Sequence, residues 1–184
     1  DEAVNAIILR DLWQHGRYTY DPREFHGPTL YYAALPLLER GPDRDFGRIT
    51  ETPLRLVPVA FGAGLIALLV LLADGLGRRA IVWAAVFTAV SPAMVFYSRY
   101  FIHEMLLVFF TLLTLGAAWR YARERRARWA VLAGAGAGLM FATKETFVIA
   151  LAAMVVAAAV TRPWIPGRWS RRHAAMAALA AGVT

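Results

Sequence analysis

Cysteine is absent from the 184 residues of this chain, and lysine occurs once, at Lys144. Without cysteine there are no disulfides, no thiolate metal sites and no thiol nucleophile. Acids are scarce beyond the first third, where only Asp74, Glu104, Glu124 and Glu145 remain. No glycine-rich phosphate loop and no H-E-x-x-H motif is present, so neither a nucleotide cradle nor a tight metal motif can be read. Polar surface is also lacking. With 59% hydrophobic residues and a mean hydropathy of +0.47, a water-soluble domain of this length has too little polar area to cover its core.

What is there instead is a series of apolar runs, several near the roughly 20 residues that cross a hydrocarbon layer. The chain reads as an all-α polytopic membrane protein. Spans are expected near 53–73, 80–97, 102–119, 129–142 and 146–160, with an incomplete one at 174–184. Residues 1–52 read as a non-spanning loop with interface helices, and 53–184 as a transmembrane bundle. Glu2 to His15 has near-helical apolar spacing, which suits an amphipathic helix on the membrane surface, and Gly16 can end it. Thr29 to Leu38 suits a second short helix that starts after Pro28. The chain starts at Asp1 and stops inside an apolar run, so it reads as a fragment of a longer protein.

The net charge of +7 does not indicate nucleic acid. The first 55 residues carry seven arginines against nine acids. The excess sits in short loops: Arg78 and Arg79, then Arg120 to Arg128, then Arg162 to Arg172. A nucleic-acid face needs a contiguous basic patch. Cationic loops stay cytoplasmic, and one topology puts all three clusters inside. That topology needs a turn at Thr143–Thr146. One continuous helix from Trp129 to Val160 would bury Lys144 and Glu145 mid-span, at a cost of several kcal/mol. Two helices of only 14 and 15 residues place the turn below the outer surface, in a protein-lined cavity.

The same topology puts the remaining polar candidates outside: Asp1, Glu2, Asp21, Glu24, His26, Arg99, His103, Glu104, Lys144 and Glu145. Work on anionic lipid-linked groups needs cations for phosphate, a carboxylate as base or metal ligand, and an apolar groove. Each residue also has a purely structural reading. Lys144 and Glu145 suit an ion pair closing a hairpin, yet a compact ammonium is also a point charge for phosphate. Arg99 suits an interface anchor between Tyr97 and Tyr100 as well as a functional cation sharing a helix face with His103. Glu104 is cheap at a helix N-terminus. Asp1 and Glu2 suit an N-cap pair. Gly134, Gly136 and Gly138 suit close helix packing. His26, His103 and Glu104 are weak candidates for a divalent metal.

Taken in order, the motifs resemble a family. Asp1-Glu2 precedes an interface helix. Tyr20-Asp21-Pro22 and His26-Gly27-Pro28 lead to Thr52-Pro53-Leu54-Arg55, then to Ser98-Arg99-Tyr100 with Glu104, then to Thr143-Lys144-Glu145. This order is similar to the GT-C superfamily of membrane glycosyltransferases, the group of protein O-mannosyltransferases and aminoarabinose transferases. Tyr-Asp-Pro followed by His-Gly-Pro is most similar to a prokaryotic branch labelled flippase-activity-associated. The resemblance implies a GT-C-like helix bundle in a prokaryotic plasma (inner) membrane and an active site on the extracytoplasmic face. It implies a polyprenyl-phosphate-linked sugar donor and a protein, lipid or glycan acceptor. It places the catalytic acid at Asp1 with Glu2 beside it, the donor-phosphate cations at Lys144 and Arg99, and a second acidic position at Glu104. Some members use a divalent metal ion. A transporter or flippase component for lipid-linked sugars is the alternative, and a polar pair at membrane depth suits a substrate path. Against it, no inverted repeat is visible.

Overall fold

The computed structural model describes residues 2–21, 26–38, 46, 50–161 and 170–183, and every regular element among them is helical. Two short helices come first, α1 (Glu2–His15) and α2 (Thr29–Leu38). Gly16 ends α1 at φ 67°, a left-handed conformation that glycine adopts without a Cβ clash, and its N–H returns to the Leu12 carbonyl at 2.8 Å. α3 (Glu51–Leu68) runs through a 3-10 turn at Leu69–Leu72 into α4 (Ala73–Leu76), making 26 residues of near-continuous helix.

The apolar stretch 80–97 is not one helix. It divides into α5 (Arg78–Val90) and α6 (Pro92–Tyr97) at Ser91, whose ψ of 122° is extended. The cause is Pro92, which disfavours helical backbone at the residue before it and fits the first turn of the helix it starts. α7 (Glu104–Glu124) has 21 residues. It stops where Arg125 takes a left-handed φ of 55° and lays its guanidinium 5.6 Å over the Tyr121 ring. α8 (Ala127–Phe141) and α9 (Phe147–Thr161) are separated by a turn at 142–146, and α10 (Arg171–Val183) follows.

Two helices, Glu51–Leu76 and Glu104–Glu124, are long and apolar enough to cross a membrane. The outward faces of α5 and α9 leave Phe87, Ile149 and Val160 more than 60% exposed. Such area is costly in water and at home in hydrocarbon. α7 is central, packed on α3 and α8, and α8 in turn packs on α10. Glycine permits this. A Cβ on Gly136 would lie 2.5 Å from Thr114 Oγ1, and one on Gly134 would lie 2.0 Å from the Ala177 carbonyl oxygen. Small residues let helices approach where no hydrophobic effect drives them together.

The two ends of the bundle differ. At one end Asp74 and Glu124 organise the arginines. Asp74 accepts from Trp119 Nε1 at 3.0 Å and lies 3.6 Å from Arg123, while Glu124 accepts from Trp129 Nε1 at 2.9 Å and from Arg128 at 3.3 Å. Arg162 and Arg168 lie outside the described residues. At the other end α1 and α2 close over the helix tips. Leu9, Leu12, Leu30 and Tyr31 bury against Leu54, Phe101, Leu106 and Met140. This cap positions the candidate site.

Candidate functional site

The site is built on the turn after α8. The Ala142 N–H still bonds to Gly138, and those of Thr143 and Lys144 both reach the Met140 carbonyl, so the chain leaves the helix in a tight coil. Thr143 is fully buried, and its hydroxyl returns to Leu139 at 2.6 Å. Onto this turn docks the strap His26-Gly27-Pro28-Thr29. His26 and Lys144 form an antiparallel bridge. Gly27 N–H donates to Thr143 at 2.9 Å, Thr29 N–H to Ala142 at 3.4 Å, and the Thr29 hydroxyl to that of Thr143 at 2.8 Å. Only glycine fits at 27, since a Cβ there would lie 2.0 Å from the Ala142 oxygen.

Two histidines back the strap. His26 stacks on His103 with centroids 4.5 Å apart and planes 16° from parallel. His103 is fully buried and its Nε2 lies 3.1 Å from the Gly27 carbonyl, which assigns Nε2–H as donor. Burial first, and the neighbouring His26 second, push His103 down to about 3, so the ring is neutral. Tyr31 meets it edge-on and its hydroxyl donates a hydrogen bond to Asn5 Oδ1 at 2.8 Å, and Asn5 Nδ2 donates to the Phe101 carbonyl at 3.0 Å.

The charges pair differently from their sequence neighbours. Lys144 does not pair with the adjacent Glu145; its ammonium sits 2.7 Å from Glu104 Oε1, and both side chains are partly buried. Glu145 is exposed and accepts a hydrogen bond from the Tyr20 hydroxyl. Glu2 is held by a fork. Arg55 Nε reaches Oε1 at 2.9 Å and Nη2 reaches Oε2 at 3.0 Å, while the Phe101 N–H donates to Oε1 at 3.1 Å. These bonds hold the Glu2 carboxyl below the usual carboxylate range. With both oxygens engaged by cationic and amide donors, Glu2 is an ion-paired anchor in this geometry, poorly suited to take a proton.

A cavity of about 850 Å³ opens between these groups, walled by Glu2, His26, Glu104 and Lys144 together with Phe96, Tyr97 and Tyr100. Four sequence candidates therefore converge. The other described candidates do not line this cavity. His103 lies buried behind His26, Asp21 and Glu145 are exposed, and Asp1 and Glu24 lie outside the described residues. Arg99 lines a neighbouring pocket of about 620 Å³ with Arg55 and Tyr100. The metal candidates do not fit an ion. Among the described residues no three His, Asp or Glu side chains are grouped as ligands. The imidazoles stack face to face, with one His103 nitrogen committed to a carbonyl. Sequence reading missed Arg55 as the holder of Glu2. Its i,i+4 relation to Glu51, 2.6 Å in the structure, was visible, but the link to residue 2 was not.

The structure is that of an all-α membrane chain with a charged cavity under a helical cap at one end of its bundle. Residues 46–183 match the family model described as dolichyl-phosphate-mannose-protein mannosyltransferase, and the chain belongs to that family. The family is one of membrane glycosyltransferases of the GT-C type. No curated protein and no solved structure matches the chain.

Proposed function

We propose that this chain transfers a sugar from a polyprenyl-phosphate donor to a hydroxyl acceptor on the extracytoplasmic face of a prokaryotic plasma membrane. The observation that carries the reading is the cavity that gathers the only lysine, Glu104 and Glu2 beneath the α1–α2 cap. Sidedness rests on the arginines around the α4–α5 and α7–α8 junctions, Arg78, Arg79 and Arg120 to Arg128, at the far end of the bundle.

The chemistry follows from the groups. Asp1, which directly precedes Glu2 in the sequence and is the catalytic acid the family resemblance implies, takes the proton of the acceptor hydroxyl. The acceptor oxygen forms a bond to the anomeric carbon as the bond from that carbon to the phosphate oxygen breaks. The electron pair leaves with the lipid phosphate. Lys144 neutralises the growing phosphate charge, and the phosphate takes over part of the ammonium that Glu104 holds at rest. Phe96, Tyr97 and Tyr100 offer faces for the apolar side of the sugar. A single displacement inverts the anomeric configuration.

The test uses the full-length protein in nanodiscs with a radiolabelled polyprenyl-phosphate hexose. Loss of donor sugar by the parent, absent in Asp1→Asn and in Lys144→Met, is the expected result. Full turnover by Asp1→Asn would remove the role given to Asp1, and retained configuration by NMR would rule out single displacement. Donor binding that needs Lys144, with no turnover under any acceptor, would favour a carrier for lipid-linked sugars.

A further inference from the structure

We propose that the pocket around Arg99 is a second site, separate from the Lys144 cavity. It holds the phosphodiester of an anionic membrane phospholipid, whose acyl chains lie along α5. Its evidence is independent of the donor assignment.

The pocket exists because the helix breaks. Pro92 forces α5 and α6 apart at Ser91, and the space is walled by Val90, Pro92 and Val95 on one side and by Arg55, Arg99 and Tyr100 on the other. Its volume of about 620 Å³ is distinct from the larger cavity, although Phe96 and Tyr100 line both and form the partition.

Charge selects the ligand. The wall contains two guanidinia and no carboxylate. Arg55 is committed to Glu2 and Glu51. Arg99 is exposed, and its side chain makes no ion pair or hydrogen bond to any described residue. One available guanidinium matches one negative charge, and its planar fork fits two oxygens of a phosphodiester.

The apolar track selects a lipid. Val82, Val86 and Val90 lie one turn apart on α5, with Trp83 and Phe87 stacked beside them at 5.9 Å. All five are exposed, and the row ends at Val90 inside the pocket. A cation in the pocket where this strip ends at the outer level is the complement of an anionic headgroup above its chains.

Native mass spectrometry of the delipidated full-length protein, titrated separately with phosphatidylglycerol and phosphatidylcholine, tests this. The parent should retain phosphatidylglycerol in preference. Arg99→Gln should lose about tenfold of that preference, the weight of one charged hydrogen-bonded contact, and Arg99→Lys, which keeps the charge but not the fork, should fall between the two. Lys144→Met should bind phosphatidylglycerol as the parent does, whatever becomes of its donor binding. Unchanged retention in Arg99→Gln overturns the proposal. So does one-for-one displacement of phosphatidylglycerol by polyprenyl phosphate, which would give the pocket to the carrier.

Discussion

Replacing Gly27 with alanine tests whether the strap holds the site together. A Cβ at 27 would lie 2.0 Å from the Ala142 oxygen. Ordinary contact begins near 3.4 Å, so strap and turn must part by more than an ångström. The bonds across this seam start at 2.9 Å (Gly27 to Thr143), 3.4 Å (Thr29 to Ala142) and 2.8 Å (between the threonine hydroxyls). Separation by an ångström takes all three past hydrogen-bond range. At about 1 kcal/mol each, their loss costs about 2–3 kcal/mol. His26 would also slide on His103, and Lys144 would lose its bridge partner. Sugar transfer by Gly27→Ala should fall about 10- to 100-fold, because ångström-scale misplacement is enough for that. The assays are reversible unfolding in mixed micelles and donor turnover in nanodiscs. A variant with parental stability and parental turnover would refute the strap as the device that sets the site.

The remaining predictions concern charge and packing. His103 prefers to be neutral in the fold, since its folded value of about 3 lies below the ordinary 6.5. Stability should therefore decline as pH falls below about 6.5, by at most about 1.4 kcal/mol per unit. Unfolding curves between pH 7 and 4 should flatten in His103→Gln, which keeps a donor for the Gly27 carbonyl but cannot titrate. The depressed Glu2 carboxyl should add a second loss at more acidic pH, and this one should vanish in Glu2→Gln. Arg55→Ala frees the Glu2 carboxylate and should lower turnover about 10- to 100-fold with little change in donor affinity; a rise in donor KM alone would argue against a positioning role. Gly134→Ala drives a methyl into the Ala177 carbonyl and should cost about 1–3 kcal/mol, whereas Gly182→Ala, which meets nothing within 4 Å, should be neutral in the same unfolding assay.

The helical class is legible because backbone groups in hydrocarbon must satisfy one another within a segment. Run length and Gly16 then indicate where helices start and stop, whereas the break at Pro92 divides a stretch that reads as one span. Lys144 stood out by being alone, and its turn by the cost of burying two charges mid-span. Tertiary structure alone decided the partners. Lys144 pairs with Glu104, 40 residues away, in place of its neighbour Glu145, and Glu2 pairs with Arg55 at a separation of 53. Arg99 looks outward into a pocket of its own. The reason is geometric. Local spacing fixes which face of a helix a side chain occupies, but which faces meet depends on how the His26–Thr29 strap docks on the 142–144 turn. That docking rests on the missing side chain of Gly27 and on three hydrogen bonds, none of which has a periodic signature in the sequence.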